Sequence, residues 1–145
     1  MLYQQPQDII VRADKGRITQ VIFNLLSNGV KFTNEGTISI SLEKKEKDNG
    51  HFVVVSVKDT GQGIDPEIMP RLFTKFATNS ITGTGLGLYI SKSIVEAHGG
   101  KIWADNNNDG EKGATFNFTL PLSKKQYQKT TRSLERNSDS YGGNC

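Results

Sequence analysis

The chain of 145 residues carries one cysteine, and it is the last residue, Cys145. An internal disulfide framework and a cysteine-based zinc cluster are thereby excluded, and a reducing, cytoplasmic setting is expected. Long apolar runs are also missing. No stretch approaches the roughly 18 residues that a membrane-spanning helix needs. The start, Met1-Leu2-Tyr3-Gln4-Gln5-Pro6, has neither the basic nor the apolar region of a secretory leader. Histidine is scarce, with only His51 and His98. Charge of one sign is lacking over most of the chain. The formal charge of +3 is accounted for by Lys124, Lys125, Lys129, Arg132 and Arg136 against Glu135 and Asp139. Residues 1–122 are therefore neutral, which argues against a nucleic-acid surface on the folded part. Residues 123–145 form a basic tail with little to bury, expected to be disordered.

What remains suits one domain over residues 1–122, long enough for one core. Asp8 to Ala13 reads as a short first strand. Arg17 to Phe32 reads as a helix, because Ile18, Val21, Ile22, Leu25, Leu26 and Phe32 recur at helical spacing. Gly36 to Leu42 alternates apolar and polar residues, as a half-buried strand does. Lys44 to Gly50 reads as a charged loop, and Phe52 to Asp59 as the returning strand. Asp65-Pro66 marks a helix start. Gly85 to His98 reads as an amphipathic helix stopped by Gly99-Gly100. Lys101 to Ala104 and Thr115 to Leu120 close the domain as strands. The order β-α-β-β-α-α-β-β implies an α+β fold, a two-layer sandwich whose mixed, mostly antiparallel sheet carries its helices on one face.

Three segments carry residues suited to chemistry. On the first helix, Arg17, Gln20, Asn24, Asn28 and Lys31 fall on one stripe beside the apolar one. Two amides offer oxygen to a divalent cation, and the ammonium offers charge to phosphate. Taken alone, the stripe reads as an ordinary solvated face, although such faces usually carry Lys and Glu and two poor helix formers are a mild anomaly there. Asp59-Thr60-Gly61-Gln62-Gly63-Ile64 follows a strand. A carboxylate there can accept from an exocyclic amine, and the glycines permit close approach of a flat ring. Gly83-Thr84-Gly85-Leu86-Gly87-Leu88 opens a helix whose exposed N–H groups and dipole favour an anion. It is neither a P-loop nor a dinucleotide fingerprint, since the lysine and the glycine spacing of those motifs are missing.

Taken in order, these segments resemble the motifs of sensor histidine kinases. Asn24 to Thr33 resembles the N box, Asp59 to Ile64 the first glycine motif, and Leu72-Phe73-Thr74-Lys75-Phe76 the F box. Gly83 to Leu88 with its helix to Gly100 resembles the second glycine motif. The resemblance covers roughly Asp8 to Leu122. It implies the ATP-binding sandwich, the Bergerat fold, shared with gyrase-, MutL- and Hsp90-type ATPases, with ATP and Mg²⁺ as cofactors. By resemblance, Asp59 binds the adenine amine, with Gly61, Gly63 and Ile64 around the ring. Asn28 ligates Mg²⁺ with Asn24 beside it, Lys31 faces the phosphates and Phe32 flanks the nucleotide. Gly83, Thr84, Gly85, Leu86, Gly87 and Leu88 hinge the lid and reach the phosphates, and Phe73 and Phe76 anchor it.

The same resemblance implies a protein-histidine kinase domain that is incomplete without its acceptor. Neither His51 nor His98 has the acceptor context, so the γ-phosphoryl group is expected to pass to a histidine on a separate dimerisation helix, and then to a response-regulator aspartate. Other readings are a non-catalytic ATP-binding module and an anti-sigma-type serine kinase. In gyrase-like relatives a glutamate stands where Asn24 stands here; an amide cannot activate water, so weak hydrolysis is expected. No nucleic acid or membrane contact is expected of the domain, even where its parent is membrane-anchored. Two positions depart from the family pattern. The lid, Ala77 to Thr82, is short, with Thr78 in the region where many relatives carry an arginine and Lys75 as a possible substitute. Ala114 stands in place of a frequent threonine.

Overall fold

The computed structural model describes residues 8–48, 50–76, 85–108 and 110–123. The expected basic tail after Ser123 and the whole of the expected lid, 77–82 with Thr78, lie outside them, as do Gly83 and Thr84.

Helix α1 spans Lys15–Phe32. Asp14 caps it, its Oδ1 accepting from the Arg17 N–H at 3.1 Å, which satisfies one of the donors that every helix start leaves unpaired. A second tie comes from far along the chain. The Asp14 N–H donates to His98 Nε2 at 3.0 Å, while His98 Nδ1 lies 2.7 Å from the Ile94 carbonyl. One partner only donates and the other only accepts, so the imidazole is the neutral tautomer protonated on Nδ1. His98 is thus a structural clasp between the two helices.

Strands β1 (Ile38–Lys47) and β2 (Gly50–Asp59) form a hairpin. The expected charged loop from Lys44 is in fact strand. Lys44, Lys45, Glu46 and Lys47 pair with Val53, Phe52, His51 and Gly50. Charge is tolerated there because β1 is an edge strand, open to water on one side. The first expected strand shrinks to one bridge, Val11 with Leu122, because the chain must turn into α1 directly after it. The helix expected at Asp65-Pro66 is instead a turn followed by a 3₁₀ helix, Met69–Arg71. Asp65 caps that turn by accepting from the Glu67 N–H at 2.9 Å. Pro70 lacks an N–H to continue an α-helix. Helix α2 then runs Gly87–Ala97, and strands β3 (Ile102–Asn106) and β4 (Ala114–Pro121) close the sheet.

The sheet order is β1-β2-β4-β3, with every pairing antiparallel. Val53, Val55 and Val57 oppose Leu120, Phe118 and Phe116 in register, so one face of the two central strands is apolar. The helices cover that face through Val21, Leu25, Ile94 and Val95. The result is the two-layer sandwich expected from the alternation of residues. Phe118, fully buried at its centre, is the strongest single test of this core. Phe118→Ala should cost about 3–5 kcal/mol, whereas Phe23→Ala, at a side chain 67% exposed, should stay within about 0.5 kcal/mol. Denaturant unfolding of both variants measures the contrast, and equal losses would contradict this layering.

Candidate functional site

Asp59 ends β2, one of the two central strands, with its side chain buried against the start of β4. One carboxylate oxygen, Oδ1, accepts from the Gly61 N–H at 2.9 Å and the Ala114 N–H at 3.2 Å. The other oxygen has no hydrogen bond among the described residues. A carboxylate with one oxygen held and the other unengaged is suited to a ligand donor, because the free oxygen can only accept. The departure at Ala114 leaves this geometry intact, since position 114 serves Asp59 through its backbone.

The turn after Asp59 is held by neighbours that the motif reading did not identify. Asn106, at the end of β3, accepts from the Ile64 N–H at 2.7 Å and donates to the Ile64 carbonyl at 3.0 Å. Asn107 donates to the Asp59 carbonyl at 2.8 Å and the Lys112 carbonyl at 2.9 Å, and accepts from the Thr115 hydroxyl at 2.7 Å. These amides replace the ladder bonds that the strand ends lack. Close neighbours account for both glycines, Asn106 at Gly63 and the end of α1 at Gly61. Gly63 has φ +83°, and a Cβ there would lie 2.9 Å from Asn106 Oδ1. A Cβ on Gly61 would collide with the Phe32 carbonyl oxygen and lie 2.7 Å from Thr33 Oγ1. In sequence, Asn106-Asn107 lies just beyond the expected strand Lys101 to Ala104 and carries no motif. Its partners are more than 40 residues away, in the case of Ile64, and no local pattern reveals them.

Helix α1 meets both glycine segments. Its C-terminal end touches the first, where the Gln62 N–H donates to the Phe32 carbonyl at 3.4 Å. Its middle touches the second, where Asn24 Nδ2 lies 3.2 Å from the Gly87 carbonyl and 3.2 Å from Ser91 Oγ. Asn28 is half-buried, and no hydrogen bond engages its amide among the described residues. Lys31 and Phe32 are exposed, with the ammonium 5.5 Å from the Phe32 ring centroid. The structure therefore brings Asn24 to Gly87 and Phe32 to the Asp59 turn, with Lys31 over the Phe32 ring, while Asn28 stands unengaged by other motif residues.

The segment 77–84 is framed by a closed stem. The Phe76 N–H donates to the Gly85 carbonyl at 2.8 Å, with Phe76 at φ +61° and Gly85 at φ +69°. Phe76 thus meets the stem through its backbone, and its side chain is 68% exposed; Phe73 packs against the core. Leu88 also packs on the core, and Leu86 precedes α2 as its cap residue. Lys75 Nζ lies 5.1 Å from the Tyr89 ring centroid, so this candidate substitute for the arginine is engaged with the ring. Among the described residues no group of three or more His, Cys, Asp or Glu side chains could hold a metal.

One consequence is open to measurement. Asn106→Ala removes both bonds to Ile64, so the Ile64 amide should lose its hydrogen-exchange protection and stability should fall by about 1–3 kcal/mol. Retained protection at Ile64 would mean that the amide clamp does not hold the turn.

Comparison with known proteins agrees with this fold. Residues 13–124 match the family described as histidine kinase-, DNA gyrase B-, and HSP90-like ATPase. The sensor protein KdpD of Clostridium acetobutylicum is 49% identical over 124 residues, covering 80% of this chain and 13% of that protein. The sensor histidine kinase WalK of Bacillus subtilis is 40% identical over 129 residues, covering 83% of this chain and 20% of that protein. The chain thus spans a fifth or less of the length of these relatives. Among solved structures, the catalytic domain of the histidine kinase ThkA superposes with a TM-score of 0.65 at 40% identity, covering 77% of this chain and 70% of that one. Full-length ShkA in complex with AMPPNP superposes with a TM-score of 0.64 at 34% identity, covering 80% of this chain and 24% of that one. With the match extending over most of the chain and the same fold recurring in kinase catalytic domains, this chain belongs to the histidine kinase-, DNA gyrase B- and HSP90-like ATPase family.

Proposed function

We propose that the chain is the ATP-binding catalytic domain of a sensor histidine kinase, and that it supplies the γ-phosphoryl group to a histidine on a separate dimerisation helix for relay to a response-regulator aspartate. The observation that carries this reading is the unengaged oxygen of buried Asp59. With Oδ1 held by two backbone N–H groups, the second oxygen presents an acceptor to a ring amine, and adenine's exocyclic amine fits that chemistry. Gly61, Gly63 and Ile64 supply the flat wall beside it.

The phosphate end is assigned to the stripe Asn24, Asn28 and Lys31, with the segment around Gly83, Thr84, Gly85, Leu86, Gly87 and Leu88 as the lid. The donor set fits magnesium in one respect: Asn28 carries an unengaged amide on that stripe. With no acidic cluster among the described residues, a cation would be held by amide oxygen and the nucleotide's own phosphates, the usual pattern for a hard ion that keeps several waters. Bound magnesium would neutralise charge on the phosphates. Asn24 cannot accept a proton from water as a glutamate does, so the domain retains the γ-phosphoryl group instead of hydrolysing it. Its two histidines are poorly suited as acceptors. His98 has both ring nitrogens engaged, and His51 lies in β2 with Nε2 3.6 Å from a Glu46 oxygen. The acceptor is therefore assigned to a partner helix.

Calorimetric titration with a non-hydrolysable ATP analogue should show magnesium-dependent binding at micromolar affinity, about −8 kcal/mol. In Asp59→Asn, the two N–H donors keep the amide oxygen at the Oδ1 position, which turns the amide nitrogen towards the ligand. A donor then replaces an acceptor. Affinity for the ATP analogue should fall by about tenfold or more, and that for the GTP analogue, whose ring offers a carbonyl at this place, should not fall. Equal affinity of both proteins for the ATP analogue would remove Asp59 from the adenine site.

A further inference from the structure

Ser91 belongs to none of the residues assigned above to the nucleotide, yet it is completely buried. It lies one turn into α2, and its hydroxyl donates to the Gly87 carbonyl at 2.8 Å. Asn24 Nδ2 reaches both groups, at 3.2 Å each. The orientation of this amide follows from chemistry. A carbonyl oxygen cannot donate, so the end of Asn24 facing Gly87 is the NH₂ group. The Ser91 proton is committed to Gly87, so the hydroxyl's free lone pairs accept from Asn24. The three groups close a triangle around the Asn24 amide nitrogen. The amide oxygen is left without a partner among the described residues, on the helix stripe it shares with Asn28 one turn later.

We propose that Ser91 is a positioning residue for the phosphate end of the nucleotide site. Together with the Gly87 carbonyl it locks the Asn24 amide so that its oxygen, and not its nitrogen, faces the ligand. This rests on the nucleotide-site reading above and deepens it. An amide oxygen attracts a divalent cation or its bound water and repels bare phosphate oxygens. The locked orientation therefore selects the metal complex of the nucleotide over the free nucleotide. An unlocked amide can turn its nitrogen to phosphate and loses that preference. The triangle also disfavours an ionised acid at position 24, because a carboxylate would face the Gly87 carbonyl at hydrogen-bond distance with no proton between them. The side-chain choice that separates this site from water-activating relatives is thus enforced from α2. The link spans the site, since Gly87 stands directly after the lid segment and Asn24 in the helix opposite.

The test compares wild type with Ser91→Ala, by calorimetric titration of AMPPNP with magnesium and in EDTA. Removing one hydrogen bond should weaken the magnesium complex by about five- to tenfold and leave metal-free binding unchanged or tighter, so the ratio of the two affinities collapses. Equal weakening in both conditions would reduce Ser91 to a packing role and overturn the proposal, as would unchanged values in both. A second readout does not depend on affinity. The Asn24 side-chain NH₂ resonances, assigned by their loss in Asn24→Ala, should exchange slowly with solvent in wild type and rapidly in Ser91→Ala; fast exchange in wild type would overturn the proposal. If wild type binds no nucleotide, the nucleotide-site reading fails and the proposal with it. If wild type binds with magnesium preference and Ser91→Ala keeps that preference, only the role of Ser91 fails.

Discussion

The carboxylate of Asp59 is the constraint on which the site's geometry depends. It ends a central strand, it is almost entirely buried, and one of its oxygens joins two segments that are distant in sequence, the turn at Gly61 and the start of β4 at Ala114. Burial makes both bonds costly to lose. Holding one oxygen in this way leaves the other in a defined direction. Asn107 secures the backbone of the same residue, and Asn106 secures the far side of the turn. The turn is therefore held by amide side chains from the end of the edge strand β3, at the same end of the sheet, although its glycines alone would make it pliant.

Helix α1 is the second organising element. Its apolar stripe packs on the sheet, and Asn24 on the adjacent stripe reaches the second helix. Asn24 and Ser91 join the helices in their middles, and His98 joins their ends by accepting from the Asp14 N–H. These polar ties determine how the two helices lie on the sheet more sharply than apolar packing could, because a hydrogen bond has a direction and burial does not. The bond from the Phe76 N–H to the Gly85 carbonyl joins the two described residues on either side of the segment 77–84.

Much of the fold was legible because its elements carry strong periodicity. Val53, Val55 and Val57 alternate, as do Phe116, Phe118 and Leu120, and both runs are strands packed as that pattern implies. The misread segments have physical reasons. Lys44 to Lys47 looked like a loop, since a strand of charged residues is viable only at a sheet edge, and edge position is a property of the whole sheet. Asp65-Pro66 carried a genuine cap signal, and Pro70 decided that no α-helix would follow it. Asp8 to Ala13 has strand composition, but only Val11 finds a partner.

The sequence by itself determined which chemical groups are available and in what order: a carboxylate followed by glycines, two asparagines one turn apart on a helix, and a glycine-rich entry to a second helix. Spacing along one element was enough for that, because helical and extended geometry are local. Tertiary structure alone decided what those groups face. That Asp59 has one oxygen engaged and one unengaged, that Asn106 and Asn107 clamp the turn, and that Ser91 orients Asn24 all depend on contacts across 42 to 67 residues of chain. Hydrogen-bond partners at such separations are chosen by the packing of the layers, and no local pattern encodes them.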